Sequence, residues 1–224
     1  MNIKTNSFIV IDIAFLFDLD GVIIDSESEY SKIWKQINQE FPTGTNRLEE
    51  IIKGCTLTKI LDEYYPEPSV REKVCNRLHF LENKMRYEYK VGSLSFLSLL
   101  KEMQIPKALV TSSDQTKMTH LEEEIPGITH HFDFIVTAEL VSSSKPSPEG
   151  YLLAAEKLGT TPQKCAVVED SLQGVMAGYN SGAFVIGVEG TLSADTLRPY
   201  SNIIVKNLMD LDLTSVIGLL NKNE

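Results

Sequence analysis

The sequence predicts an α/β protein: a doubly wound, mostly parallel sheet that carries an inserted α-helical segment. Three observations predict this class. Short apolar runs stop abruptly at polar residues, helix-forming segments separate these runs, and one long segment has helical spacing but no such run. Strands alternating with helices are typical of doubly wound sheets. With 224 residues, the chain has the length of one large domain with a smaller insertion.

Five apolar runs are rich in valine, isoleucine and phenylalanine, as expected of strands buried on both faces of a parallel sheet. They cover residues 13–17, 108–110, 134–137, 166–168 and 183–188. Helix signals lie between them. Ser93 is placed to cap one helix, and Ser147 followed by Pro148 gives the cap and first turn of another. Gly159 and Gly182 are natural helix ends.

Residues 27–91 interrupt this alternation, because their apolar residues recur at helical spacing, as at Ile33 and Ile37. Capping-box patterns begin at Ser26 and at Ser69, and each can satisfy free N–H groups at a helix start. We therefore predict a core domain and an inserted helical cap domain. The core comprises residues 1–25 and 92–224, and the cap comprises residues 26–91.

Charge and hydropathy exclude several classes of partner. The chain has 21 lysines and arginines against 31 acids, a net charge of -10, which is the wrong sign for binding nucleic acid or an anionic membrane. No stretch approaches the ~20 apolar residues of a membrane span. Three cysteines without metal-type spacing fit reduced, packed thiols. We expect a cytoplasmic monomer.

Polar residues end the predicted strands, and ligand sites in such sheets lie at the carboxyl ends of strands. These residues are Asp18, Asp20, Thr111, Ser112, Glu169 and Asp170, with Lys145 following the third strand. Four acids meeting at one edge would repel each other unless a cation neutralised them. Carboxylate oxygens favour Mg²⁺, and there is no histidine or cysteine cluster in the sequence to compete for a softer metal.

The pair Asp18 and Asp20 can divide the work of a displacement reaction. One carboxylate at the strand end can attack the substrate in line, while the other gives a proton to the leaving group and then takes one from water. Gly21 allows the chain to turn sharply after this pair. The alternative is that these acids only form a turn. Thr111 and Ser112 can hold phosphoryl oxygens through a hydroxyl and backbone N–H groups, or can simply cap a helix.

Four segments together resemble the motifs of the haloacid dehalogenase superfamily of phosphatases and phosphomutases. They are residues 17–26, 110–113, 145–149 and 169–174, in the family's order. The segment between the first and second motifs is similar to the small α-helical cap of the branch that contains β-phosphoglucomutase and many sugar-phosphate phosphatases. The resemblance implies a Rossmann-like core.

The resemblance also implies roles for the acids. Asp18 would be the nucleophile that forms an aspartyl-phosphate, and Asp20 the general acid and base. Mg²⁺ would be held by Asp18, the Asp20 carbonyl and Asp170, with Glu169 assisting. An acid at Asp20 argues against a dehalogenase, because departing halide needs no proton.

For the substrate phosphate, the resemblance implies contacts from Thr111 and the N–H of Ser112. Lys145 would balance the charge of the phosphate and of the nucleophilic carboxylate, although a lone lysine is usually a solvated surface charge.

Two positions depart from the mutase pattern. Tyr30 stands where phosphoglucomutase-like members carry a histidine, and Leu57 stands where they carry an arginine. A mutase must hold a second phosphate, for which arginine is the natural clamp. The insert still offers Tyr30, Lys53, Thr56 and Lys59 as candidate contacts to a leaving group, and we select Tyr30 and Lys53 as substrate-binding residues.

The predicted function is a Mg²⁺-dependent phosphatase for a small phosphorylated metabolite such as a sugar phosphate. The alternative is a β-phosphoglucomutase-like sugar phosphomutase. A signalling receiver domain also combines a phosphorylatable aspartate with an acidic Mg²⁺ site, but there the acidic pair precedes a phosphoacceptor in the middle of the chain. Here Asp18 and Asp20 lie near the start of the sequence and a helical insert follows them, which argues against a receiver domain. We expect the cap to open and close about hinges near residues 24–26 and 91–93.

Overall fold

A computed structural model of the protein describes residues 13–190 and 192–221, without the side chains of Glu27 and Ser28. In this part of the chain, six parallel strands form one sheet in the order β3-β2-β1-β4-β5-β6. The strands are β1 Ala14–Phe17, β2 Lys107–Val110, β3 Phe134–Val136, β4 Cys165–Glu169, β5 Phe184–Val188 and β6 Ile203–Val205.

Ten α-helices connect and flank these strands within the described ranges. They are α1 Glu27–Glu40, α2 Leu48–Ile51, α3 Leu57–Tyr64, α4 Pro68–Glu82, α5 Ser93–Glu102, α6 Gln115–Glu124, α7 Glu149–Lys157, α8 Leu172–Ser181, α9 Ala194–Leu197 and α10 Leu213–Leu220. Short 3₁₀ helices cover Thr129–His131, Ala138–Leu140, Pro162–Lys164, Arg198–Tyr200 and Leu208–Asp210.

The doubly wound α/β class predicted from the sequence is confirmed. Each of the five predicted strands is present, with either end within one residue of its predicted position. The sixth strand, β6, was not predicted. It is three residues long, half-buried and at the sheet edge, and its apolar run Ile203–Val205 is as long as the predicted run at residues 108–110.

The insertion between β1 and β2 contains the four helices α1 to α4. We call residues 26–91 the insert; its division from the rest as a separate domain remains a prediction, and residues 1–12 of the predicted core lie outside the described part. The chain enters and leaves the insert along one short antiparallel pairing. Asp25 N–H donates to the Glu88 carbonyl at 2.9 Å, Lys90 N–H donates to the Ile23 carbonyl at 2.8 Å, and Ile24 bridges Tyr89.

Two of the predicted capping arrangements in the insert are wrong. Ser26 occupies the cap position of α1, but its hydroxyl donates to Asp20 and makes no cap bond to the helix. Helix α4 begins before Ser69, because Glu67 accepts from Val70 N–H at 2.8 Å and Pro68 fits the first turn.

Two caps outside the insert are displaced by one residue. Gly92 and Pro148 occupy the cap positions predicted for Ser93 and Ser147. The Ser93 hydroxyl instead donates to the Ile23 carbonyl at 2.9 Å, which fixes the start of α5 beside the first linker. The end of α8 at Gly182 is confirmed, with a left-handed φ of 81°.

Apolar side chains pack on both faces of the sheet. On one face, Phe15 and Phe17 contact Phe96 of α5 edge-on. On the other face, Leu16 and the fully buried Tyr151 of α7 belong to a second cluster. This burial makes the sheet a rigid platform, so the residues at its carboxyl edge are held in fixed positions.

In the part of the chain that the structure describes, every helix is too short or too polar to cross a bilayer. Cys55, Cys75 and Cys165 carry free thiols, as expected from their spacing. Burial raises the pKa of the Cys165 thiol to about 12, which makes it a packing residue rather than a nucleophile.

Candidate active site

The carboxyl ends of β1, β2 and β4 bring the predicted catalytic residues to one edge of the sheet. Asp18 follows β1, Thr111 follows β2, and Glu169 ends β4. Because β1 pairs with both β2 and β4, these three positions are neighbours although they are far apart in sequence.

A buried ion-pair cluster occupies the centre of this edge. The Lys145 Nζ atom lies 2.6 Å from Asp18 Oδ1 and 2.6 Å from Glu169 Oε1, and it also donates to the Val110 carbonyl at 3.1 Å. All three of the charged side chains are buried. Each ammonium proton therefore has an acceptor, which is the condition for burying a lysine.

Glu169 is held on both of its carboxylate oxygens. Oε1 also accepts from the Tyr151 hydroxyl at 2.6 Å, while Oε2 accepts from the Ser171 hydroxyl at 3.2 Å and from Asp170 N–H at 3.2 Å. Gly174 of α8 lies directly against this carboxylate, since a Cβ there would come within 1.9 Å of it. Glu169 is thus fixed in a position that orients Lys145.

Burial and crowding shift the pKa values of this cluster. Burial, followed by the Glu169 carboxylate, raises the pKa of Asp18 to about 8, against the opposing effect of Lys145. Burial alone would lower the pKa of Lys145, but the Asp18 and Glu169 carboxylates raise it above its ordinary value. Lys145 is therefore a permanent cation, and the cluster still favours added positive charge.

The same cluster has the donor set of a hard-cation site. One carboxylate oxygen from each of Asp18, Glu169 and Asp170 lies within 4.8 Å of the others, and all three residues are buried. The Gly21 backbone, at a φ of 78°, passes so close that a Cβ would lie 1.9 Å from Asp170 Oδ2. Buried carboxylate oxygens and the raised pKa of Asp18 fit Mg²⁺.

Asp20 lies at the mouth of the site and faces different partners. Its Oδ1 accepts from the Ser26 hydroxyl, and its Oδ2 accepts from Lys117 Nζ at 2.5 Å and from the Ser113 hydroxyl at 3.4 Å. Asp18 is therefore paired with Lys145 and Asp20 with Lys117. The two acids have different environments although they are only two residues apart in the chain.

The second predicted motif lies between β2 and α6. The Thr111 hydroxyl accepts from Ser113 N–H at 3.0 Å, and the Ser112 hydroxyl donates to the Gly54 carbonyl of the insert at 2.9 Å. Asp114 caps α6, because its carboxylate accepts from Lys117 N–H at 2.9 Å.

A cavity lies between the sheet edge and the insert, and residues of both line it. On the core side its lining includes Asp18, Asp20, Ser112, Ser113, Lys117 and Asp170. On the insert side the lining is mixed, with apolar Trp34, Ile52, Leu57, Ile60 and Leu78 beside polar Tyr30, Glu49, Lys53 and Glu82. Such a surface can bind a small molecule that has both polar and apolar parts.

The structure brings most of the predicted site residues to this cavity. Tyr30 and Lys53 line it, whereas Thr111 and Lys145 line a smaller cavity that shares Ser112. Of the other candidate contacts, Thr56 caps α3 by accepting from the Lys59 N–H at 3.3 Å.

The site residues that were not predicted include Lys117, Glu82 and Tyr151. These three lie within helices rather than after strands, and each forms a buried or nearly buried contact to a predicted residue. Helical spacing carried a usable signal, because Glu82 follows Val74 and Leu78 at intervals of four and so lies on the buried face of α4.

Comparison with known proteins shows which family the sequence matches and which proteins resemble it. The family model described as haloacid dehalogenase-like hydrolase matches residues 15–188. Hexitol phosphatase A of Escherichia coli (strain K12) is 32% identical over 188 residues, which span 82% of this chain and 85% of that protein. Fructose-1-phosphate phosphatase YqaB of the same organism is 26% identical, over 77% of this chain and 94% of that protein.

A solved structure adds a relative of a different reaction type. The fold is similar to that of β-phosphoglucomutase from Clostridium difficile, with a TM-score of 0.78 and 25% identity, over 93% of this chain and 97% of that one.

Proposed function

The chain belongs to the haloacid dehalogenase-like hydrolase family, and on this premise we propose that it is a Mg²⁺-dependent phosphatase for a small sugar phosphate. The reaction would pass through an aspartyl-phosphate on Asp18. The observation that carries the proposal is the buried contact of Lys145 Nζ with both Asp18 and Glu169, each at 2.6 Å, at the edge of the cavity.

In the first step, a carboxylate oxygen of Asp18 attacks phosphorus and the bond from phosphorus to the sugar oxygen breaks. The departing oxygen takes a proton from the Asp20 carboxyl, which gives the free alcohol and the aspartyl-phosphate. In the second step, water attacks phosphorus and gives a proton to the Asp20 carboxylate. The bond from phosphorus to Asp18 breaks, so inorganic phosphate is released and both acids are restored.

Charge stabilisation supports both steps. The phosphoryl group binds near Lys145, Thr111 and the N–H of Ser112, where donors are fixed before the reaction begins. Asp18, Asp170 and the Asp20 carbonyl would hold Mg²⁺, with Glu169 assisting mainly by orienting Lys145. The bound ion supplies positive charge to offset the phosphate.

A phosphomutase is the second candidate, since β-phosphoglucomutase shares the fold. A mutase must hold the phosphate that is not transferred, and arginine is the natural bidentate clamp for it. The described arginines of the insert pair with acids outside the cavity lining: Arg47 with Glu50, Arg71 with Asp62, Arg77 with Glu40 and Arg86 with Glu124. This distribution favours hydrolysis.

The test is phosphate release from a panel of hexose and pentose phosphates with Mg²⁺. In parallel, β-glucose 1-phosphate with a bisphosphate primer is followed for glucose 6-phosphate. We expect steady phosphate release that Asp18→Asn abolishes, while the matched change Asp195→Asn, at an exposed position, leaves it intact. Isomerisation without stoichiometric phosphate would instead establish the mutase.

A further inference from the structure

Lys117 is a buried cation that the proposed two-step reaction does not use. It lies in the first turn of α6, and only 7% of its side chain is exposed. Its Nζ atom is 2.5 Å from Asp20 Oδ2 and 4.1 Å from the centre of the Tyr30 ring. One ammonium thus contacts an acid of the core and an aromatic ring of the insert.

The contacts continue into the insert beyond Tyr30. The Tyr30 hydroxyl donates to Glu82 Oε1 at 2.7 Å, and Glu82 is itself buried in α4. Burial raises the pKa of Tyr30 well above its ordinary value, so the hydroxyl keeps its proton and remains a donor. A continuous line of contacts therefore runs from Asp20 through Lys117 and Tyr30 to Glu82.

This line joins Asp20 and Lys117 of the core to Tyr30 and Glu82 of the insert. Removing a lysine from water is unfavourable unless its charge is compensated. The Asp20 carboxylate and the face of the Tyr30 ring both provide compensation, because a desolvated cation is attracted to the face of an aromatic ring. Lys117 is best accommodated when both partners are present.

We propose that Lys117 is a positioning residue that couples the seating of the insert to the placement of the Asp20 carboxyl. The proposal rests on the proposed function, in which Asp20 protonates the departing sugar oxygen. It assigns Lys117 no contact with the phosphoryl group, whose charge is balanced by Lys145 in the proposed function.

The test compares two substrates that differ in their need for a proton. A sugar phosphate releases an alkoxide that must be protonated, whereas p-nitrophenyl phosphate releases a stable anion. Lys117→Met keeps the length of the side chain and removes the charge. We expect kcat/KM to fall about 10- to 100-fold for the best sugar phosphate of the panel and less than about threefold for p-nitrophenyl phosphate.

Three further variants separate positioning from other roles. In an Asp20→Asn background, Lys117→Met should have little additional effect, because both changes remove the same function. Tyr30→Leu should shift the ratio of the two kcat/KM values in the same direction, and Lys117→Arg should restore part of it. Lys35→Met, at an exposed position of α1, is the matched control that should leave both values unchanged.

If Lys117→Met lowers kcat/KM equally for the two substrates, Lys117 has only a structural role. If Lys117→Met still lowers kcat/KM in the Asp20→Asn background, Lys117 contacts the substrate directly. Either result overturns the proposal. A double-mutant cycle of Lys117→Met and Tyr30→Leu in thermal unfolding measures the coupling of the two side chains without activity, and zero coupling would also overturn the proposal. A wild-type protein inactive on both substrates would refute the proposed function instead.

Discussion

Gly174 is a single residue on which the geometry of the acid cluster depends. A Cβ at this position would come within 1.9 Å of the Glu169 carboxylate. Alanine here must displace Glu169, which otherwise accepts hydrogen bonds from Lys145 and Tyr151 at 2.6 Å each. We expect Gly174→Ala to lower kcat for phosphate release by at least about tenfold, because Lys145 loses its fixed orientation.

Gly218→Ala provides the matched control for this prediction. Gly218 is exposed in α10, and a Cβ at this position would have no other side chain or loop within 4 Å. Alanine there should raise the free energy of unfolding by about 0.5–1 kcal/mol and leave kcat unchanged. Full activity of Gly174→Ala would contradict the orienting role given to Glu169.

Residues that follow strands could be predicted from the sequence, because the topology itself determines where they meet. Asp18, Thr111 and Glu169 need only the rule that parallel strands end at one edge. Lys117 could not be assigned in this way. Its partner Asp20 is 97 residues away in the sequence, and no local pattern encodes that contact. The one available signal was its spacing of four from the buried Leu121.

At the scale of elements, the loop between α2 and α3 contacts the core where the Ser112 hydroxyl donates to the Gly54 carbonyl at 2.9 Å. Ser112→Ala removes this contact but keeps the backbone N–H that is proposed to bind phosphate. We expect kcat to stay within about threefold of wild type and KM for the sugar phosphate to rise about two- to tenfold, as for one lost hydrogen bond.

Steady-state kinetics of Ser112→Ala measure this effect. Ser98→Ala is the control, because the exposed Ser98 hydroxyl donates to Leu94 within its own helix. A loss of kcat beyond about 100-fold in Ser112→Ala would place the hydroxyl itself in the chemistry, which is the magnitude expected for a direct transition-state donor.

Helix starts show why element boundaries were harder to predict than strands. A serine hydroxyl can bond to its helix or to any nearby carboxylate, and Ser26 bonds to Asp20 six residues upstream. Glu67 takes the capping role predicted for Ser69. Strand β6 was not predicted, although its run Ile203–Val205 is as apolar and as long as the predicted run at residues 108–110.

For the whole molecule, the raised pKa of Asp18 links metal, pH and stability. A buried carboxyl with a pKa of about 8 binds more protons in the folded state than in the unfolded state, where its pKa is 3.8. In the metal-free protein this contribution destabilises the fold as pH rises from about 4 to about 8. Mg²⁺ favours the carboxylate, so we expect it to raise the melting temperature more at pH 8 than at pH 5.

Thermal unfolding with Mg²⁺ and with a chelator, at the two pH values, measures this linkage, and the chelator should also abolish phosphate release. Asp18→Asn serves as the control, since it removes the titrating group and should flatten the pH dependence of the metal-free protein. A metal effect equal at both pH values would show that Asp18 does not hold the ion.

The chain enters and leaves the insert at adjoining points, where Asp25 N–H donates to the Glu88 carbonyl at 2.9 Å. Such an arrangement leaves the strand register independent of what lies between the two linkers. Under the proposed function, changes of insert length or sequence would therefore alter which alcohol is accepted and leave the phosphoryl chemistry at the sheet edge unchanged. Lys117 limits this modularity, because a new insert must supply a partner for its charge where Tyr30 now lies.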